Sequence, residues 1–220
     1  MEQQKMVRRT IRSRDTRWAH LAAAWLKNIG VRPNQISVAG VFFALGGGTA
    51  FWFLGQPHDR WSGIILALLA AAGIQGRLLC NLFDGMVAVE GGLKSKSGEL
   101  FNDFPDRLSD TLLLAGAGYA AGGTSGVVLG FTAAILAMLT AYARVLAGAA
   151  GAEQHFLGPM AKQHRMALLT FAALVCAALD GTATGRHWTL LAALGLIAAG
   201  SAITVIRRLR LAYRELEERP

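Results

Sequence analysis

Cysteine and charge are both scarce in this 220-residue chain. The only cysteines, Cys80 and Cys176, stand inside apolar runs. There they read as small buried hydrophobes, which excludes a disulfide framework or a thiolate metal site. The histidines His20, His58, His155, His164 and His187 show no metal-ligand spacing. The first 35 residues hold no apolar core of the kind a cleavable signal peptide needs, so none is expected. Charged residues make up 16% and hydrophobic ones 53%. Acidic residues are the scarcer sign, 14 against 22 Lys and Arg, for a net charge of +8. Nucleic-acid binding would need those cations on one solvated face. Here they sit at the ends of apolar runs, which fits membrane orientation and contact with anionic lipid. No nucleic-acid partner is expected.

What the chain has in quantity is long charge-free apolar sequence, the mark of an integral membrane protein. The expected fold is all-α, with six transmembrane helices. The spans are Ile36 to Leu54, Trp61 to about Phe83, a third beginning after Gly98 and ending near Ala121, and a fourth ending near Ala147. Thr111 to Ala143 is charge-free and too long for one span, and the Gly122–Gly126 run divides it. Met166 to Leu179 is short for a crossing unless it reaches back through Arg165 and His164 towards Pro159. Trp188 to Ile206 is the sixth span.

The domains expected are a cytoplasmic segment 1–35, a membrane domain 36–206 and a basic tail 207–220. Residues 1–9 read as mobile. Trp18, Leu21, Ala22, Trp25 and Leu26 recur at helical spacing among Arg14, Arg17 and Lys27. They form either an amphipathic helix on the membrane surface or a helix packed on the protein's own membrane ends. Six spans place all Lys and Arg except Arg60 and Arg186 on one side, which is then cytoplasmic. The compartment expected is the bacterial inner (plasma) membrane.

The polar centre is the stretch Asn81 to Asp110. Asn81 and Asp84 share a helix face. Beyond a Gly- and Ser-rich turn, Glu99, Asn102, Asp103, Asp106 and Asp110 fall within an arc of about 100°. Carboxylates where a chain enters a membrane are expensive and mark function. Two oxygen-rich faces joined by a turn suit a hard cation. Capping acids at helix ends are the plainer account of Glu90, Glu99 and Asp103.

This stretch resembles the signature of the CDP-alcohol phosphotransferases, membrane enzymes of phospholipid synthesis: DxxDGxxAR, then GxxxDxxxD after eight or nine residues. Asp84, Gly85, Ala88, Gly98 and Asp106 match without a gap. Asn81 and Asn102 stand where the family has aspartates, and Val89 where it has arginine. Pro33, Asn34 and Ser37 match a Pro-Asn-x-x-Thr/Ser stretch that opens the family's first span, although Asn34 as a helix cap would explain that motif too.

The resemblance implies transfer of a phosphatidyl group from CDP-diacylglycerol to an alcohol, with release of CMP and help from Mg²⁺ or Mn²⁺. It makes Asp106 the base and puts the metal at Asn81, Asp84, Asn102 and Asp106, with Asp103 in support and one ion as an alternative to two. It puts the nucleotide near Pro33, Asn34, Ser37, Gly85, Ala88, Ser95 and Gly98. Lys94 or Lys96 are the substitutes at hand for the missing arginine. Arg144, Lys162 and Arg165 would meet an anionic acceptor, glycerol 3-phosphate or another, although positive-inside topology alone also wants cations there. The family is usually homodimeric, and the glycines Gly40, Gly46 to Gly48, Gly116 and Gly118 serve either a dimer seam or packing within one chain. A non-catalytic relative binding lipid or nucleotide is the rival reading that the two asparagines and Val89 favour. A small-solute transporter is a weaker rival, because the charges cluster at one face.

Overall fold

The computed structural model describes residues 16–90, 92, 97–179 and 183–218, with the backbone alone for Glu90, Glu99 and Ala183. Among them are seven helices and no strand: α1 (Arg17–Asn28), α2 (Pro33–Leu54), α3 (Arg60–Glu90), α4 (Gly98–Ala121), α5 (Gly123–Ala149), α6 (Lys162–Ala178) and α7 (Ala183–Glu217). Four are long and apolar enough to cross a membrane: Pro33–Leu54, Arg60–Val89, Gly123–Ala149 and Thr184–Glu217. α4 carries its acidic motif in its first half, and α6 has 17 residues. Large apolar side chains face outward around the bundle, among them Phe42, Ile65, Val128, Ile135, Phe171 and Leu196. An apolar exterior of that extent marks a lipid-facing surface.

The interior is built from small residues. Alanines of α2 to α7 line the main core, with Phe51, Leu54, Ile74, Leu113, Leu169 and Leu194 between them. α2 packs along both α3 and α4, while α3 and α4 touch each other little. Two glycine pairs let this happen. A Cβ on Gly73 would stand 2.6 Å from the Gly47 Cα, and one on Gly116 2.5 Å from the Gly48 oxygen. These glycines join helices of one chain, as do Gly40 and Gly118, whereas Gly46 faces open space.

The local starts and stops follow the chemistry of the chain. Asp59 opens α3: its carboxylate accepts from the backbone N–H of Trp61 (2.9 Å) and Ser62 (3.1 Å) and from the Ser62 hydroxyl (2.6 Å). Those bonds, the Ser62 hydroxyl first, hold the Asp59 carboxyl below its ordinary range. α2 starts at Pro33, not after a capping Asn34: the N–H of Arg32 donates to Gln35 Oε1 at 2.9 Å, and proline at the first helical position sacrifices no bond. Gly122 and Gly123 both have positive φ (+79° and +66°) and divide α4 from α5 where the glycine run was expected to do so. Pro105 lies inside α4.

Two boundaries differ from expectation. α3 runs through Phe83 to Glu90. α7 runs through Arg207 to Glu217, so the basic segment is a helix continuing out of the last apolar stretch. Charge ends a span in the hydropathy sense but does not end a helix. α6 begins at Lys162, between the short and the extended expectation. α1 buries Ala19 and Ala23 against Leu82, Met86 and Val87 of α3, and Trp18 meets Phe83 edge-on at 6.0 Å. Trp25 and Leu21 remain exposed.

Candidate active site

Alternating helices carry their polar residues to one end of the bundle. That end receives the start of α2, the last half of α3, the start of α4, the end of α5 and the start of α6. Three of these helices meet at a cavity of about 10 Å³, room for one ion or water. Ser37 and Gly40 come from α2, Arg77, Cys80, Asn81 and Asp84 from α3, and Pro105, Asp106 and Ser109 from α4. The spacing 77, 81, 84 is one face of a helix, as is 105, 106, 109. Asp84 is buried, and Ser37 Oγ donates to its Oδ2 at 2.7 Å.

Asp106 is held by two cations. Arg77 Nη2 donates to its Oδ1, and Lys162 Nζ donates to its Oδ2. Lys162 Nζ also donates to Asn81 Oδ1 at 3.0 Å. Arg107 stands 3.6 Å from Asp106. Arg77 is buried in an otherwise apolar stretch, and its Nε and Nη1 have no partner among the described residues. Uncompensated buried donors are costly, and they point to an acceptor beyond the described residues.

Asn81 and Asp106 also border a second cavity of about 180 Å³. Cations dominate its wall: Arg107, Arg144, Lys162, Arg165 and Arg208, with Asn102, Asp103 and Phe156. Arg144 grips Asp103 with both oxygens at 3.0 Å, bonds Gln154 Oε1 at 3.3 Å and lies 5.1 Å over the Phe156 ring. Arg165 is fully buried, with Nη2 on Asp110 Oδ2 (2.9 Å) and Nη1 on the Met160 oxygen (2.9 Å). Arg208 reaches in from α7 to the carbonyls of Leu157 (3.0 Å) and Thr140.

The cavity wall is closed by the loop between α5 and α6, which is fastened to α7. Glu215 accepts from the Glu153 N–H at 2.9 Å and lies 3.3 Å from His155 Nε2. Thr204 Oγ1 accepts from the Met160 N–H at 3.1 Å.

The structure thus brings Ser37, Asn81, Asp84 and Asp106 to one small cavity and Asn102, Asp103, Arg144, Lys162 and Arg165 to its neighbour. Pro33 and Asn34 form the first turn of α2 below Ser37. Gly85 and Ala88 follow Asp84 on α3, and Gly98 opens α4; none of these three lines either cavity. Ser95, Lys94, Lys96 and the side chain of Glu99 lie outside the described residues. Arg77 escaped the sequence reading as a site residue. Its signal was there: an arginine in an apolar run, four residues before Asn81 and seven before Asp84.

No protein-family model matches the chain. Two curated relatives do, along almost its whole length. A phosphatidylinositol phosphate synthase of Streptomyces avermitilis is 25% identical over 200 residues, 89% of this chain and 78% of that one. An archaetidylinositol phosphate synthase of Pyrococcus horikoshii is 29% identical over 192 residues, 87% and 89%. Among solved structures, Mycobacterium tuberculosis phosphatidylinositol phosphate synthase with CDP-DAG bound superposes with a TM-score of 0.74 at 19% identity, covering 90% of this chain and 94% of that one. Its complex with manganese and citrate gives 0.73 at 19% identity, covering 89% and 88%. These likenesses agree with the CDP-alcohol phosphotransferase resemblance that the motif carries. With asparagine at positions 81 and 102, this chain keeps two carboxylates at the four aspartate positions of that motif, Asp84 and Asp106.

Proposed function

We propose that this chain moves a phosphatidyl group from CDP-diacylglycerol to a hydroxyl of a phosphorylated polyol and releases CMP. The names of the two curated relatives favour an inositol phosphate over glycerol 3-phosphate as acceptor. The single observation that carries the reading is the paired cavity. A small chamber lined by Asp84, Asn81 and Asp106 neighbours a larger one walled by arginine and lysine, with Asn81 and Asp106 common to both.

The chemistry divides between the two chambers. The diphosphate of the donor lies at the mouth of the small one, its negative oxygens turned to accept from the spare N–H groups of Arg77. The phosphate of the acceptor lies in the larger one against Arg144 and its neighbours, bringing a hydroxyl to Asp106. That hydroxyl attacks the phosphorus bearing diacylglycerol. Its proton passes to Asp106, a step worth about 10²–10⁴-fold in rate. The bond to the bridging oxygen breaks, and CMP leaves with that oxygen. Arg77 and Lys162 fix the Asp106 carboxylate for the transfer.

A divalent ion fits the Asp84 half of the small chamber. Asp84 is a buried carboxylate whose side-chain partner is a hydroxyl, and Mg²⁺ or Mn²⁺ commonly binds through one or two carboxylates plus substrate phosphates. Bound there, the ion supplies neutralisation of the diphosphate. The Asp106 half is different, because protein cations already hold its oxygens.

In the same reading α2 to α7 are six spans, α1 lies at the membrane surface with Trp25 and Leu21 towards lipid, and the polar end faces the cytoplasm. A homodimer would form on the apolar exterior, since most of the candidate seam glycines are spent within the chain.

The test is CMP release by sealed vesicles given CDP-diacylglycerol and inositol phosphate, glycerol 3-phosphate or unphosphorylated inositol. Release should occur in inside-out vesicles with a phosphorylated acceptor, inositol phosphate foremost. Equal rates with unphosphorylated inositol would remove the cationic chamber from the argument, and release in right-side-out vesicles would reverse the orientation.

A further inference from the structure

Where the two chambers share Asn81 and Asp106, the larger one supplies a cation of the protein's own. Lys162 Nζ lies between Asn81 Oδ1 of α3 and Asp106 Oδ2 of α4, with the Arg77 guanidinium on the other Asp106 oxygen. Lys162 arrives from a third helix, α6, more than fifty residues along the chain from either partner. Its ammonium bridges an oxygen from each motif helix, which is the work a divalent ion does when it joins two helices.

Charge counting agrees with the geometry. At the matched positions, Asp84 and Asp106 supply two carboxylates, and Asn81 and Asn102 supply uncharged amides. Arg77 and Lys162 already offset both carboxylates. One divalent ion then leaves an excess that the donor diphosphate, with one charge on each phosphate, cancels. A second divalent ion would leave uncompensated positive charge in a chamber lined by a buried arginine, which is strongly unfavourable. It would also have to displace Lys162 from both of its oxygen partners.

We propose that Lys162, backed by Arg77, replaces one divalent ion of a two-ion arrangement, so that this chain works with one ion at Asp84 and a built-in organic cation at Asp106. The substitutions form one compensated set. An ammonium needs less negative charge around it than a divalent ion does, which is the change that aspartate to asparagine makes at positions 81 and 102. The inference rests on the proposed site but concerns its ion count, which can be measured without turnover.

The experiment is a Mn²⁺ titration of the detergent-purified chain with one equivalent of CDP-diacylglycerol, read by EPR against identical micelles lacking protein. The wild type should bind one Mn²⁺ per chain with the spectrum of an isolated ion. The variant combining Lys162→Met, Asn81→Asp and Asn102→Asp should bind one more, with the spin coupling of ions about 3.5–4 Å apart. Two coupled ions in the wild type would overturn the inference, and so would a monodisperse variant that gains none. If the variant aggregates, the wild-type count decides alone. A wild type that binds no Mn²⁺ would cost the proposed function its Asp84 ion, while the variant's gain would still decide the role of Lys162.

Discussion

Arg144 and Arg165 both border the cationic chamber, yet their surroundings give them different work. Arg165 is sealed against Asp110, Thr140 and the Met160 carbonyl, with both members of the ion pair almost without solvent contact. Removing one member of such a pair strands a buried charge and costs about 3–5 kcal/mol. Arg144 is partly open and shares its guanidinium between Asp103 and Gln154. Arg165→Leu should therefore destabilise the protein strongly in a melting experiment, with an Arg165→Leu, Asp110→Leu double variant recovering much of the loss. Arg144→Ala should leave the melting midpoint nearly unchanged and lower kcat/KM for the phosphorylated acceptor by about 10- to 100-fold, the worth of one or two charged hydrogen bonds. At this scale the motif resemblance was legible in part, since Gly85, Ala88 and Gly98 line neither cavity. Asp84, Asp106 and Ser37, which the motif resemblance singled out, share a chamber. The partnership of Lys162 with Asn81 and Asp106 was not legible, because nothing local relates residues so far apart in the chain.

Helix existence was the clearest element-scale feature, for the physical reason that charge-free length and glycine breaks are local. Helix ends were less clear. The last apolar run was ended at Ile206 by its arginines, but Arg208 turns inward to two carbonyls and the helix continues to Glu217. The start of α3 offers a test of how its ends are held. The Asp59 carboxyl is kept below its ordinary range by bonds made only in the folded helix, so its contribution is present above the unfolded-state carboxylate pKa. That contribution fades as pH falls through the lower folded value. Asp59→Ala should lower the melting midpoint at neutral pH, and the gap to wild type should narrow as the solution is acidified below the carboxylate range. A gap that stays constant down to acid pH would mean that the charged cap contributes nothing.

Across the whole molecule, the alternation of helices brings chemistry from six elements to one end, while the opposite end is closed by simpler contacts. There Arg186 Nε donates to the Ala120 carbonyl at 2.9 Å, and a cation at the C-terminus of α4 suits the helix dipole. A solute pathway would spread polar groups along the interior, whereas this core is alanine and leucine for most of its length. The loop tied to α7 by Glu215, Thr204 and Arg208 makes the wall of the larger cavity a property of the bundle as a whole. The central claim is that α3 and α4 hold Asp84 and Asp106 around a reacting diphosphate. The most direct measurement is CMP release from CDP-diacylglycerol by Asp106→Asn protein that remains monodisperse and still binds the donor. The account predicts a loss of at least about a hundredfold, with donor binding retained. Turnover at the wild-type rate would contradict it.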